Sequence, residues 1–108
     1  MKRNPRLPLT ETVYYVLLAL IEPAHGYLIM SRVEAMSNGA VRMAPGTMYG
    51  ALENLSKQRM IEPVTSLDPR RKVYQITESG YQTLAQDSER MRHLVHVFEQ
   101  TTKDMRAE

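Results

Sequence analysis

A chain of 108 residues holds one domain with a modest core and is small for a deep enzyme cleft. Without a cysteine it forms no disulfide, thiolate metal site or thiol nucleophile, and no apolar run approaches the ~20 residues of a membrane span. A net charge of +2 and 43% hydrophobic residues are ordinary for a globular protein, and since no signal-peptide core follows the basic N-terminus, cytoplasmic residence is the default.

Met1 to Pro8 reads as a flexible basic arm carrying Lys2, Arg3 and Arg6. Thr10 then caps a first helix, with Glu11 in the first turn where the helix dipole favours a carboxylate. Val13, Tyr14, Val16, Leu17, Leu18, Leu20 and Ile21 make that helix apolar on nearly every side, so it needs cover from the core and from a second subunit. Pro23 stops it. His25-Gly26 opens a second helix with Tyr27, Met30 and Val33 (or Ile29) facing inward, and Asn38-Gly39 closes it.

A short extended connection containing Arg42 leads to Pro45-Gly46, after which the Thr47 hydroxyl can cap a third helix. Met48, Leu52 and Leu55 recur at i, i+4 and i+7 and line its core side. The opposite side carries Tyr49, Gly50, Glu53, Asn54 and Lys57. Glu53 and Lys57 form an i, i+4 pair in the favourable order. Gly50 is out of place there: glycine in an exposed helix interior costs about 1 kcal/mol relative to alanine. Such a cost points to close approach of a partner to the backbone.

Beyond Ile61 the pattern becomes extended. Ile61 to Ser66 and Lys72 to Thr77 are strand candidates joined by the turn Leu67-Asp68-Pro69-Arg70, and Pro63 confines the first to an edge or a bulge. Between Val41 and Ile76 six basic residues (Arg42, Lys57, Arg59, Arg70, Arg71, Lys72) face three acidic ones (Glu53, Glu62, Asp68), a surplus larger than the whole chain's. Three helices and a two-stranded ribbon tipped by Arg70, Arg71 and Lys72 describe a winged helix-turn-helix, mainly α with a small β-wing. Its tip can follow a phosphate backbone or enter a minor groove.

Thr77 caps a last helix, which runs from Glu78 to about Met105. Tyr81, Leu84, Met91, Leu94, Val95 and Phe98 mark its apolar side, a weak heptad interrupted by Ser88 and Thr102. About 28 residues would extend ~40 Å, too far to pack wholly on so small a domain, so the outer half needs a partner such as the same helix of a second copy. The expected partition is an arm (1–8), a winged helix-turn-helix domain (9–77), and a dimerisation helix with its tail (78–108).

Pro45-Gly46-Thr47-Met48-Tyr49-Gly50-Ala51-Leu52 resembles the recognition-helix motif of the PadR-like transcriptional regulators. Leu7 to Tyr27 (Leu-Pro-Leu-Thr-Glu…Glu-Pro-Ala-His-Gly-Tyr) and Asp68-Pro-Arg-Arg-Lys-Val-Tyr-Gln-Ile-Thr-Glu-Ser-Gly agree with it, so the resemblance spans roughly residues 7 to 84 in the family's order. It implies a homodimer formed by the C-terminal helix and the neighbour's first helix. It also implies a repressor released by small aromatic molecules or drugs. No tryptophan is present and Phe98 is the sole phenylalanine, so a tryptophan-stacking effector pocket is absent. Tyr14, Tyr15, Met91 and Phe98 could line a pocket for a small hydrophobic effector near the dimer axis.

A twofold dimer would place two third helices in successive major grooves, about one helical turn or roughly 34 Å apart. Asn54 is the leading base reader, because its amide bonds adenine bidentately. Thr47, Tyr49 and Lys57 are assigned to phosphates, Tyr49 with a competing place in the core at the helix edge; Arg42 and the wing's Arg70, Arg71 and Lys72 are assigned to DNA contact, and Gly50 to close backbone approach. The dimer contacts assigned are Tyr14, Leu17, Leu84, Met91, Leu94, Val95 and Phe98. His93 and His96, three apart, read as solvated or interface residues rather than metal ligands. The carboxylates are dispersed and no catalytic grouping or cofactor loop occurs, so neither enzyme nor cofactor is expected. The competing reading is a winged-helix protein-interaction module that does not bind DNA.

Overall fold

The computed structural model describes residues 4–106. The Thr10 hydroxyl accepts from Val13 N–H at 3.1 Å and opens α1 (Glu11–Ala19), which ends ahead of Pro23. Ala24 and His25 form a two-residue strand, β1, that the sequence pattern does not reveal. His25 then caps α2 (Gly26–Met36), its Nδ1 accepting from Leu28 N–H at 3.5 Å. Arg32 of α2 reaches back and donates to Ala19 O at 2.8 Å and Glu22 O at 3.0 Å, satisfying carbonyls at the end of α1. Asn38 and Gly39 end α2 with positive φ, and their N–H groups bond Ala35 O and Glu34 O, the paired bonds of a Schellman cap.

The third helix, α3 (Pro45–Lys57), begins earlier than expected. Ala44 is its N-cap, without a side-chain bond, and Pro45 is its first helical residue. Proline's fixed φ suits that position and its missing N–H would be unpaired there anyway. Thr47 is therefore not the cap but the third helical residue, exposed, and among the described residues its hydroxyl makes no hydrogen bond. Met48, Leu52 and Leu55 point inward as the spacing requires. A second Schellman cap closes α3, with Arg59 at φ 59 in the position glycine usually takes.

Strands β2 (Ile61–Val64) and β3 (Val73–Ile76) pair antiparallel, with Ile61 opposite Ile76 and Val64 opposite Val73. β1 pairs with the other side of β3, giving the order β1-β3-β2. Pro63 lies on the edge strand, where its missing N–H disturbs no ladder. Thr77 caps α4 (Glu78–Thr101): its hydroxyl oxygen accepts from Gly80 N–H at 3.0 Å and donates to Arg59 O at 2.7 Å. α4 stops at Thr102, whose hydroxyl bonds Phe98 O at 2.8 Å, and a short α5 (Lys103–Arg106) follows, so the single helix expected to Met105 is broken there.

The core lies between α1, α2, α3, the sheet and the first turns of α4: Val16, Leu17, Leu20, Ile29, Val33, Met48, Leu52, Leu55, Met60, Ile61 and Leu84. Tyr27, expected inside, is 76% exposed, whereas Val33 and Ile29 are buried as expected and Met30 packs half-buried against the core. Leu17 at 0% and Leu84 at 5% exposure are sealed within one subunit and so leave the set of dimer contacts. Residues 4–8 of the expected flexible arm are docked. Asn4 bonds Gln86 at 3.0 Å, while Arg6 donates to Ser79 Oγ and to Gln58 O, each at 3.2 Å. Arg6 thus spends its guanidinium on the end of α3. Lys2 and Arg3 lie outside the described residues.

Candidate nucleic-acid interface

Once Met48, Leu52 and Leu55 are turned into the core, the helical period leaves Gly46, Thr47, Tyr49, Gly50, Glu53, Asn54 and Lys57 on the outside, and all are exposed. A Cβ built on Gly50 would meet nothing within 4 Å, so no contact within the subunit accounts for this glycine. Tyr49 is 60% exposed, which removes it from the core. Its hydroxyl rests 3.1 Å from where a Gly26 Cβ would stand, so the bare first residue of α2 braces the ring. Lys57 pairs with Glu53 at 3.3 Å, and Gln58 Nε2 donates to Asn54 Oδ1 at 3.2 Å. Both pairs are exposed and exchange readily for stronger partners. Among the described residues the Asn54 NH₂ hydrogens are unused, and its carbonyl keeps a second lone pair.

The wing loop spans residues 65–72 between the last paired residues of the hairpin. Asp68 organises its tip: Oδ1 accepts from Arg70 N–H at 2.9 Å and from Arg70 Nε at 3.3 Å, while Arg71 Nε stands 3.8 Å from Oδ2. Counting Asp68 against Arg70, Arg71 and Lys72, the tip carries a surplus of two positive charges. Arg71 Nη1 also lies 3.3 Å from His25 Nε2. That contact occupies one N–H of the guanidinium at most, and among the described residues the one charged partner of Arg71 is the distant Asp68 carboxylate. The guanidinium stays available to an outside anion.

These pieces converge. An open cleft of about 850 Å³ is lined by His25, Gly26 and Tyr27 from the start of α2, Tyr49, Glu53 and Lys57 from α3, and Arg70, Arg71 and Lys72 from the wing. Of the expected DNA-contacting residues, Tyr49, Lys57, Arg70, Arg71 and Lys72 thus share one concavity, with Thr47, Gly50 and Asn54 on the same exposed helix face. Arg42 stands apart, on the connection before α3, and is paired with Glu34 at 3.2 Å. Sequence reasoning missed Tyr27, and saw His25 only as a cap. The signal for both was the two-residue β1, which docks the start of α2 beside the wing and cannot be read from periodicity.

The remaining expected residues lie elsewhere. Tyr14 donates to Ser88 Oγ at 2.6 Å, because Ser88 spends its own hydrogen on Leu84 O, and this ties α1 to α4. Tyr14 and Met91 line a shallow groove of about 600 Å³ with Val95 and His96. Tyr15 packs edge-on against Tyr14, the rings 6.5 Å apart, and is not part of that lining, nor is Phe98. The expected pocket set is therefore only half assembled within one subunit. Leu94, Val95 and Phe98 are all exposed on α4. Among the described residues no three potential metal ligands gather.

Residues 16–86 match the family model described as the transcriptional regulator PadR-like family. The chain belongs to that family. An uncharacterised 37.1 kDa protein in transposon TN4556 of Streptomyces fradiae is 33% identical over 91 residues, which cover 82% of this chain and 26% of that protein. The PadR-like chain thus spans about a quarter of that relative's length. A transcriptional regulator from Clostridium thermocellum superposes with a TM-score of 0.71 at 24% identity, covering 82% of this chain and 87% of its own. Bacillus subtilis PadR in complex with operator DNA superposes with a TM-score of 0.62 at 24% identity, over 72% of this chain and 46% of its own. At these identities the likeness establishes the winged-helix fold. No helix among the described residues is long and apolar enough to cross a membrane.

Proposed function

We propose that this PadR-like chain is a sequence-specific double-stranded DNA-binding regulator that acts as a homodimeric repressor. The observation that carries the reading is the shared cleft of α3 and the wing, where a polar helix face notched by Gly50 stands beside three unburied cations. A helix of this breadth fits a major groove, and the wing then meets the flanking backbone. Asn54 reads a base, Thr47, Tyr49, Lys57, Arg70, Arg71 and Lys72 bond phosphates, and Gly50 admits the duplex closely. Arg42 contributes only if Glu34 releases it. That Bacillus subtilis PadR has been seen with operator DNA supports the same use of the fold here.

The second copy is supported by α4. Beyond Met91 every residue up to Thr101 is exposed, including Leu94, Val95, Val97 and Phe98. An apolar face of that kind on a helix that leaves its own domain calls for a matching face. Residues 9–77 then form the reading domain and 78–108 the dimerisation segment, with Tyr14, Met91, Leu94, Val95 and Phe98 at the contact. Repression, and release by a small hydrophobic effector at the groove beside Tyr14 and Met91, follow from the family resemblance of the motifs. Titrating the protein with random duplex DNA at two salt concentrations tests the reading. Binding that weakens steeply with salt is expected; no binding at either salt would favour the protein-interaction module.

A further inference from the structure

Leu67 stands at the apex of the wing loop with a relative exposure of 106%, further into solvent than any other large apolar side chain among the described residues. Its position is built rather than incidental. Ser66 Oγ accepts from Asp68 N–H at 3.2 Å and donates to Asp68 O at 3.1 Å, so the residues on either side of Leu67 are bonded to each other. Arg71 N–H donates to Asp68 O at 3.0 Å and Arg70 N–H to Asp68 Oδ1 at 2.9 Å, closing the next turn. The backbone therefore presents one leucine outward, with Arg70 and Arg71 three and four residues further along the same loop.

Solvent gives a tip leucine no favourable contact, and every other residue from 65 to 72 except Pro69 is polar or charged. Placed against DNA, the arrangement acquires a use. The minor groove is about 6 Å wide and narrows to a strongly negative channel in A-tracts, which attracts arginine. Apolar side chains carried there by flanking cations wedge between base steps, most readily at flexible pyrimidine–purine steps. We propose that Leu67 is such a wedge: the wing inserts it into the minor groove beside the α3 contact, unstacks a flexible step and bends the duplex. The inference rests on the DNA-binding reading. It adds a specificity determinant that makes no hydrogen bond to any base.

The probe is a set of duplexes selected by the wild-type protein from a randomised pool, labelled at both ends for energy transfer. The wild type should enrich a TA or CA step at a fixed distance from the α3 half-site and shorten the end-to-end distance. Leu67→Ala, at an exposed site that leaves the melting temperature unchanged, should lose affinity about tenfold. It should also relax the step preference and lengthen the end-to-end distance while keeping the salt slope, since no phosphate contact is removed. Leu67→Met should restore the bend. Equal affinity, step preference and bend in Leu67→Ala and wild type would overturn the wedge while DNA binding stands. Failure of the wild type to select any duplex would overturn the DNA-binding reading itself, and the wedge with it.

Discussion

Gly50→Ala separates what α3 needs in order to fold from what it needs in order to work. Gly50 lies in the middle of a 13-residue helix, is exposed, and has nothing within 4 Å of the place a methyl group would take on its Cα. Within the subunit the substitution meets no obstacle, and it should stabilise the protein by about 1 kcal/mol through helix propensity alone. For a domain of this size that is a rise in melting temperature of about 4 °C, compared at fixed protein concentration because association of the proposed dimer would also contribute. If duplex DNA closes on this face, the same methyl is driven into it. Overpacking of a close interface costs about 1–3 kcal/mol, which weakens binding about fivefold to 150-fold. Calorimetry and fluorescence anisotropy on the same preparations measure the two quantities. A variant that melts higher and binds equally well would refute the reasoning, because nothing would then approach α3 at its glycine.

Gly80→Ala should do the opposite to stability. Its Cβ would stand 2.1 Å from the Met60 carbonyl oxygen and 2.9 Å from Ile76 Cγ1, so despite better helix propensity a loss of at least about 2 kcal/mol is expected in urea unfolding; a gain would show that the junction yields. Arg71→Ala should weaken binding to all duplexes alike and reduce the slope of log affinity against log salt by about one, and an unchanged slope removes the wing arginine from the backbone contacts. Phe98→Glu, at a site 61% exposed and remote from the core, should shift sedimentation from dimer to monomer, whereas an unaltered dimer would move the subunit contact off α4.

The helices and their inward faces are legible because helical spacing is local. Met48, Leu52 and Leu55, the caps at Thr10 and Thr77, and the Asn38-Gly39 stop all depend on neighbours within about a turn. What is not legible depends on distant chain. The β1 strand exists only because β3 lies beside it, and residues 4–8 are ordered only because Gln58, Ser79 and Gln86 are in reach. Leu17 and Leu84 carry the same apolar signal as Val95 and Phe98. Only packing separates them, burying the first pair and leaving the second exposed. Thr47 carries the chemistry of a cap, but the preceding proline competes for the start of the helix and wins. Of the candidate site, the exposed face of α3 and the wing cations can be read from spacing and charge. The cleft they share with His25 and Tyr27 cannot, and neither can the outward set of Leu67.

Three contacts bolt the foot of α4 to the far end of α3: Thr77 to Arg59 O, Gly80 against Met60 O, and Arg6 bridging Ser79 and Gln58 O. The long helix and α3 are consequently joined at one braced elbow. At 1.5 Å per residue the arm of α4 is about 36 Å, so a tilt of 10° between two such arms would move their ends by about 6 Å. That is nearly two base-pair steps at 3.4 Å each. In the proposed dimer, a small molecule that changed the angle at which the arms cross would put the two heads out of step with the groove while touching neither.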